Sequence, residues 1–228
     1  MTNRLVIFGN RVYAEIVWDY FSRDSDYEVV GFTVDADYIS ETTFCGLPVV
    51  PFEEVEKYFP PEENHMHIAI VYGDLNRLRE KKYREAKEKN YRLANYPSSH
   101  AFNWHNVTMG DNCFIFEHNT VQPSVNLGNG VILWSGNHIA HHTTVGDFSF
   151  VTSHVVLAGF CEVGTNCFLG GNVCMRDQIK IGNYCWVGHG AVLNNDFPAY
   201  SMVRAEESRV KPLKEKALNR YLSGRSIG

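Results

Sequence analysis

An apolar residue recurs at every sixth position between Met109 and Leu193, without a single slip. A strict period of six excludes an amphipathic helix, which repeats every 3.6 residues. It indicates one short structural unit stacked on itself many times. The anchor positions are Met109, Ile115, Val121, Leu127, Leu133, Ile139, Val145, Val151, Leu157, Val163, Leu169, Met175, Ile181, Val187 and Leu193.

The hexads predict a parallel β-helix of about five coils. Three hexads make an eighteen-residue coil with three short strands, and each strand pairs with the strand one coil away, about 4.8 Å distant. The anchors and the small residues two positions before them are expected to point inward. Glycine follows an anchor once per coil, which suits a corner with positive φ or close backbone approach. These glycines are Gly110, Gly128, Gly146, Gly164 and Gly182.

Four of the six cysteines occupy the inward position two residues before an anchor: Cys113, Cys161, Cys167 and Cys185. Cys167 and Cys185 are one coil apart, so a disulfide or a metal site is conceivable. A free cysteine packs as a small hydrophobic residue, and we predict reduced thiols in the core.

The charge and hydropathy of the chain give no sign of a nucleic-acid or membrane partner. The net charge is −5, so no basic surface is expected to attract nucleic acid or an anionic membrane. No apolar run reaches transmembrane length, and no signal-peptide pattern is present at the N-terminus. We therefore expect a cytoplasmic protein without a membrane span.

The first 96 residues have a different pattern from the hexads. Apolar strands at 5–9, 29–34 and 68–72 alternate with helical patterns near 12–21, 52–59 and 75–89. This alternation predicts a small, Rossmann-like α/β domain over 1–96, with a ligand crevice at the carboxyl ends of its parallel strands. The β-helix should then cover 97–196, and a tail over 197–228 should contain a charged helix near 211–222.

The loop after the first strand is a weak nucleotide signal. It reads Gly9-Asn10-Arg11-Val12, with one glycine where a dinucleotide fingerprint has three. Amides at a helix N-terminus can hold a phosphate, and Arg11 would add charge. An ordinary strand–helix turn is equally compatible with this sequence.

The order of these parts resembles the hexapeptide-repeat sugar-nucleotide acetyltransferases, and the resemblance covers nearly the whole chain. This family includes bacterial UDP-4-amino-sugar and GDP-perosamine N-acetyltransferases and sialic-acid O-acetyltransferases. The strongest local match is the segment Ile139-Ala140-His141-His142-Thr143-Thr144-Val145-Gly146-Asp147-Phe148. The resemblance implies a left-handed β-helix, a homotrimer, a nucleotide-binding N-terminal domain and acetyl-CoA bound along the β-helix.

By that match His141 is the general base. Imidazole titrates near neutrality and can take the proton that acetyl transfer releases. The family usually has a carboxylate after this histidine, whereas the present chain has His142. Both histidines are candidate catalytic residues, but His142 cannot supply a negative charge, so a carboxylate from elsewhere or a backbone carbonyl is expected to orient His141.

The resemblance also assigns residues to the two substrates. Acetyl-CoA contacts are expected at Phe150, Gly159, Gly171 and His189, with the Gly159 amide facing the thioester carbonyl. Contacts to the nucleotide sugar are expected at Asn10, Arg11, Val12, Asp35 and Gly73.

The resemblance implies an acetyl-CoA-dependent N-acetyltransferase acting on a nucleotide-linked amino sugar in bacterial surface-glycan synthesis. O-acetylation of a sugar hydroxyl and a non-catalytic β-helix scaffold are the alternatives. A zinc enzyme of the β-helix carbonic anhydrase type is disfavoured. His118 and His154 are two coils apart, but Gly159 stands where a further histidine ligand is needed, so no metal is expected.

Overall fold

The computed structural model describes residues 3–206 and 212–222. It contains an α/β domain, a long parallel β-helix and a C-terminal helix, so the predicted fold class is confirmed. The N-terminal domain consists of β1 (Asn3–Phe8), α1 (Val12–Arg23), β2 (Tyr27–Val34), β3 (Thr43–Phe44), β4 (Leu47–Pro51), α2 (Val55–Tyr58), β5 (Asn64–Ile68), α3 (Arg77–Glu88) and β6 (Arg92–Leu93).

The strands of this domain form one sheet in the order β3-β4-β2-β1-β5-β6. All neighbouring strands are parallel except β3 and β4. The carboxyl ends of β2, β1 and β5 therefore lie side by side. Three short 3-10 helices, Ala36–Tyr38, Phe52–Glu54 and Gly73–Asn76, complete the domain.

The third predicted strand was placed too late in the chain. It covers Asn64–Ile68, and the predicted range 68–72 begins where the strand ends. The strand contains buried polar residues, so it does not stand out as an apolar run in the sequence. Asn64 donates to the Pro60 carbonyl at 2.8 Å, and His67 Nδ1 lies 2.9 Å from the Ala94 carbonyl. Burial lowers the pKa of His67 to about 4, so this imidazole is neutral in the fold.

In the described part of the chain, the β-helix consists of short strands of two residues each. Strands β7 to β24 are Tyr96–Pro97, Phe102–Asn103, Thr108–Met109, Phe114–Ile115, Thr120–Val121, Asn126–Leu127, Ile132–Leu133, His138–Ile139, Thr144–Val145, Phe150–Val151, Val156–Leu157, Glu162–Val163, Phe168–Leu169, Cys174–Met175, Lys180–Ile181, Trp186–Val187, Val192–Leu193 and Met202–Val203. Each of the fifteen predicted anchors is the second residue of one of these strands. The first strand, β7, pairs with β10, and the last strand, β24, pairs with β22. The β-helix pairing therefore extends from Tyr96 to Val203, beyond the range 97–196 predicted for this domain.

Strands one coil apart pair in parallel and form three faces. The docked face, β7-β10-β13-β16-β19-β22-β24, is covered by the N-terminal domain. The open face is β8-β11-β14-β17-β20-β23, and the charged face is β9-β12-β15-β18-β21, which carries the Lys180–Glu162 ion pair.

The interior of the prism is filled by the anchors and the residues two before them. The four inward cysteines are buried with free thiols. Burial raises the pKa of Cys113 and Cys167 to about 12, so these thiols are protonated and act as core residues.

The N-terminal domain and the docked face share one hydrophobic core, which we call the seam. Outward-facing aromatic rings of the docked face, including Phe114, Phe150 and Phe168, belong to the same buried cluster as Tyr13 and Phe21 of α1. A shared core of this kind makes the two units one packed body.

A buried arginine of α3 also joins the two units. The Arg79 guanidinium is fully buried and donates to the carbonyls of Gly130 and Phe148 in the β-helix. It also donates to the carbonyls of Ile70 and Val71 in its own domain, each at 3.1 Å. Burial lowers the pKa of Arg79 to about 10, which leaves it charged at neutral pH.

The chain ends in a charged helix, α4 (Glu215–Leu222). The predicted helix began at Lys211, which lies outside the described residues. Among residues 3–206 and 212–222, no helix has the length and apolar character required to cross a bilayer.

Candidate active site

His141 and His142 lie at the corner where the open face turns into the charged face, which we call the histidine corner. They follow β14 and precede β15, and both side chains are exposed. The His141 N–H donates to Gln122 Oε1 at 3.0 Å, and the His142 N–H donates to the Pro123 carbonyl at 3.1 Å. These bonds to the preceding coil fix the backbone from which both imidazoles project.

The His141 ring packs against Gly159, which lies one coil further along the β-helix. A Cβ atom at Gly159 would stand 2.7 Å from His141 Cε1 and 3.0 Å from Nε2. Only glycine leaves room for the imidazole in this position. The Gly159 N–H has no hydrogen-bond acceptor among the described residues, so it is available to a ligand beside the ring.

The His142 ring contacts both His141 and Phe160. The two Nδ1 atoms of His141 and His142 are 3.2 Å apart. Phe160 stacks on His142 with ring centroids 4.8 Å apart and an interplanar angle of 17°, and it meets the His141 ring edge-on. Sequence reasoning missed Gln122 and Phe160. The eighteen-residue period would have found Phe160, which lies one coil after His142.

The other residues predicted to contact acetyl-CoA do not lie at the histidine corner. Gly171 and His189 are one coil apart at the corner between the docked and open faces, where the Gly171 N–H donates to His189 Nδ1 at 2.9 Å. The open face separates these two corners. Phe150 is on the docked face, 2% exposed and packed against Tyr72 and Phe168. Because the N-terminal domain covers Phe150, this ring is not accessible to acetyl-CoA, contrary to the prediction.

A cavity of about 330 Å³ lies at the carboxyl edge of the N-terminal sheet. Asn10 and Arg11 line it from the loop after β1, and Asp37, Tyr38, Ile39 and Ser40 line it from the segment after β2. The Asn10 side-chain amide donates to the Tyr38 carbonyl at 3.0 Å and so ties the two walls together. Val12, the first residue of α1, is 72% exposed. This is the crevice that the α/β pattern predicted.

The remaining predicted nucleotide contacts lie near the same sheet edge but have other partners. Asp35 accepts a hydrogen bond from Lys82 at 2.5 Å, and Lys82 also donates to Glu85 at 2.7 Å. Gly73 opens a turn in which Asp74, Leu75 and Asn76 all have positive φ. The Asn76 side chain, fully buried, donates to the Cys167 carbonyl at 3.1 Å, which anchors this turn to the β-helix.

A larger cavity of about 630 Å³ lies on the charged face, lined in part by Glu162, Lys180 and Phe197. None of the predicted site residues lines it. Across residues 3–206 and 212–222, no three His, Cys, Asp or Glu side chains are grouped in a way that would hold a metal ion.

Comparison with known structures finds the same fold in several sugar acetyltransferases. PerB from Caulobacter crescentus, in complex with CoA and GDP-perosamine, is 25% identical with a TM-score of 0.78, and the match covers 89% of this chain and 94% of PerB. The acetyltransferase domain of PglB from Neisseria gonorrhoeae FA1090 is 22% identical with a TM-score of 0.77, over 86% of this chain and 93% of that domain.

The same PglB domain in complex with acetyl coenzyme A is 20% identical, with a TM-score of 0.77, and the match covers 87% of this chain and 94% of that domain. No family model and no curated protein matches the chain. The resemblance to hexapeptide-repeat sugar acetyltransferases predicted from the sequence is therefore confirmed at the level of the three-dimensional structure.

Proposed function

We propose that this chain transfers the acetyl group of acetyl-CoA to the amino group of a nucleotide-linked amino sugar, with His141 as the general base. The observation that carries the proposal is the pairing of an exposed imidazole with the unbonded N–H of Gly159, side by side at one corner. Acyltransferase chemistry requires a base for the nucleophile and a donor for the oxyanion, and these two groups supply both. Structural similarity to PerB and to the PglB domain supports acyl transfer from CoA thioesters.

The reaction would proceed by direct attack. The neutral sugar amine attacks the thioester carbonyl carbon and forms the C–N bond, and His141 Nε2 takes the proton that the nitrogen loses. The Gly159 N–H donates to the oxyanion of the tetrahedral intermediate. When the C–S bond breaks, the CoA thiolate leaves and receives that proton. The four inward cysteines are buried in the prism, and burial raises the pKa of Cys113 and Cys167 to about 12, so we propose no acyl-enzyme route through them.

Nucleotide binding is proposed for the cavity at the carboxyl edge of the N-terminal sheet. Asn10 and Arg11 line this cavity, and Arg11 provides a positive charge beside the N-terminus of α1, where a diphosphate is favoured. The Asp35 carboxylate forms an ion pair with Lys82. A nucleotide that contacts Asp35 would therefore share this carboxylate with Lys82.

The assembly proposed is a homotrimer in which the open face lies between subunits. Phe102, Val156 and Val192 project from this face and are 55%, 40% and 66% exposed. Thr120, His138 and Cys174 lie between them on the same face. Exposed apolar side chains gathered on one face are typical of a surface that is covered by another chain. Gly171 and His189 line the far edge of the same face, so they would contact acetyl-CoA held between subunits. The proposed compartment is the cytoplasm, and the proposed product serves surface-glycan synthesis.

The test is a mass-spectrometric screen with the full chain, acetyl-CoA, and UDP-, dTDP- and GDP-linked amino sugars. We expect one acetyl group to be added to at least one of these sugars. The same screen with hydroxyl acceptors separates O-acetylation from N-acetylation. Absence of turnover on every acceptor would favour a non-catalytic scaffold and reject the proposal.

Variants of two histidines locate the base. His141→Ala should lower kcat by about 10²- to 10⁴-fold, the range expected for loss of a general base. His154→Ala is the control, since His154 is also an exposed histidine at a corner of the β-helix but lies on the other side of the open face. An unimpaired His141→Ala enzyme would exclude His141 as the base.

A further inference from the structure

We propose that His142 is the positioning residue for His141: it accepts a hydrogen bond from His141 Nδ1–H and so leaves Nε2 of His141 as the basic atom. This inference rests on the proposed function, because it concerns the base of that reaction. A neutral imidazole would thus take the place of the carboxylate expected at position 142.

The distance between the two rings indicates a hydrogen bond between them. The Nδ1 atoms are 3.2 Å apart, which is the distance of a nitrogen–nitrogen hydrogen bond. Two lone pairs or two N–H groups would repel each other there, so one nitrogen carries the proton and the other accepts it. The pair therefore has two neutral arrangements that differ in which histidine donates.

Only one of these arrangements produces a base at His141 Nε2. If His141 donates from Nδ1, its Nε2 has a lone pair and lies beside Gly159, at the position proposed for the reaction. If His142 donates instead, neutral His141 carries its proton on Nε2 and cannot accept another there. The acylation chemistry requires the first arrangement, with His142 protonated on its own Nε2.

The surroundings of His142 hold its ring in place beside His141. Its backbone N–H is fixed on the Pro123 carbonyl at 3.1 Å, and Phe160 stacks on the ring at 4.8 Å. Phe160 itself is fixed by its N–H, which donates to the His141 carbonyl at 3.0 Å. The pair is thus clamped between the coil before it and the coil after it.

The residues packed around the pair carry no charge that would replace His142. The preceding coil contributes Gln122 and Pro123, and the following coil contributes Gly159 and Phe160. The first charged residue further along the column of His141 and Gly159 is Asp177, one coil beyond Gly159, and Arg176 is its neighbour in the chain. The Asp177 carboxylate accepts a hydrogen bond from Gln178 at 3.0 Å. Asp177 is therefore the rival orienting group, and its variant serves as the control.

The first experiment needs no substrate. In the full chain labelled with ¹⁵N-histidine, the imidazole nitrogen shifts report which nitrogen of each ring is protonated. We expect His141 to be the Nδ1–H tautomer in wild type and to change mainly to the Nε2–H tautomer in His142→Phe. The chain already accepts phenylalanine at corners with φ near +60°, at Phe148 and Phe160, so this variant should fold. The proposal would be overturned if His141 were the Nε2–H tautomer in wild type. It would also be overturned if His141 kept the Nδ1–H tautomer in His142→Phe.

The second experiment measures kcat and KM across pH with GDP-perosamine and a UDP-linked 4-amino sugar as probes. His142→Phe should lower kcat by about 10- to 100-fold, the usual effect of losing a partner that orients a histidine, with KM little changed. His142→Asp should restore kcat and move the acid limb of the profile to higher pH, since a carboxylate favours protonated His141. Aspartate also tolerates positive φ.

The Asp177→Asn variant discriminates between the two orienting groups. We expect it to retain the wild-type kcat and the His141 tautomer, and a defect equal to that of His142→Phe would overturn the proposal. If wild type turns over neither probe and no other amino sugar, the proposed function fails, while the tautomer measurement still decides the role of His142.

Discussion

At the scale of single residues, the candidate site depends on a glycine that makes room for a ring. Gly159→Ala would place a methyl group 2.7 Å from His141 Cε1, so the imidazole must move. We expect kcat to fall about a hundredfold, the typical effect of displacing a catalytic group by about 1 Å. Asp177→Ala, in the same column one coil further, should retain the wild-type kcat. Steady-state kinetics of both variants, with melting temperatures to verify folding, would check this, and a fully active Gly159→Ala enzyme would contradict it.

Much of this corner was predictable from the period alone. Residues eighteen positions apart are stacked, so the column of His141 and Gly159 and the column of His142 and Phe160 follow from counting. The Nδ1 contact between the two histidines was not predictable, because it depends on side-chain rotamers. From the sequence alone, the expected orienting group is a carboxylate from elsewhere or a backbone carbonyl, because a second histidine supplies no negative charge. The structure makes His142 the nearest partner of the His141 ring.

At the scale of elements, α3 attaches the N-terminal domain to the β-helix through Arg79. Arg79→Met would leave carbonyls of Gly130, Phe148, Ile70 and Val71 without their donor. We expect a loss of about 2–4 kcal/mol in the free energy of unfolding, since hydrogen bonds to a buried charge are strong and the orphaned carbonyls are costly. Urea unfolding of the purified variant measures this.

The matched control for that prediction is Arg84→Met on the same helix. The Arg84 side chain is 68% exposed and pairs with Glu80 at the surface, so its loss should leave the unfolding midpoint unchanged. Equal destabilisation by the two variants would show that helix propensity, rather than the buried guanidinium, accounts for the effect at Arg79.

The elements also show where sequence reasoning succeeded and failed. Every anchor of the hexads was placed correctly, because a buried array repeats the same side-chain environment along one axis. The predicted helix begins at Leu75, whereas α3 begins at Arg77, and Asp74, Leu75 and Asn76 before it all have positive φ. This costly backbone is stabilised by a distant contact, the bond from Asn76 to the Cys167 carbonyl, which no local pattern indicates.

At the scale of the whole molecule, the open face is the surface through which copies would assemble. Val156→Asp introduces a charge at the centre of this face and should dissociate the proposed trimer, with loss of acetyl transfer, because desolvating an unpaired carboxylate is costly. Light scattering after size-exclusion chromatography gives the mass. Asn126→Asp, which adds the same charge on the charged face, should leave the trimer intact. A monomeric wild type would contradict the assembly, as would a Val156→Asp variant of unchanged mass.

The seam between the two units contains an intrinsic optical probe. Three of the four tryptophans, Trp18, Trp134 and Trp186, pack against the core that joins the N-terminal domain to the docked face, whereas Trp104 is 40% exposed elsewhere. Their emission therefore reports separation of the two units, while far-ultraviolet circular dichroism reports loss of the coils. Superimposable denaturation curves from the two signals would mean that the N-terminal domain and the β-helix unfold together as one cooperative body.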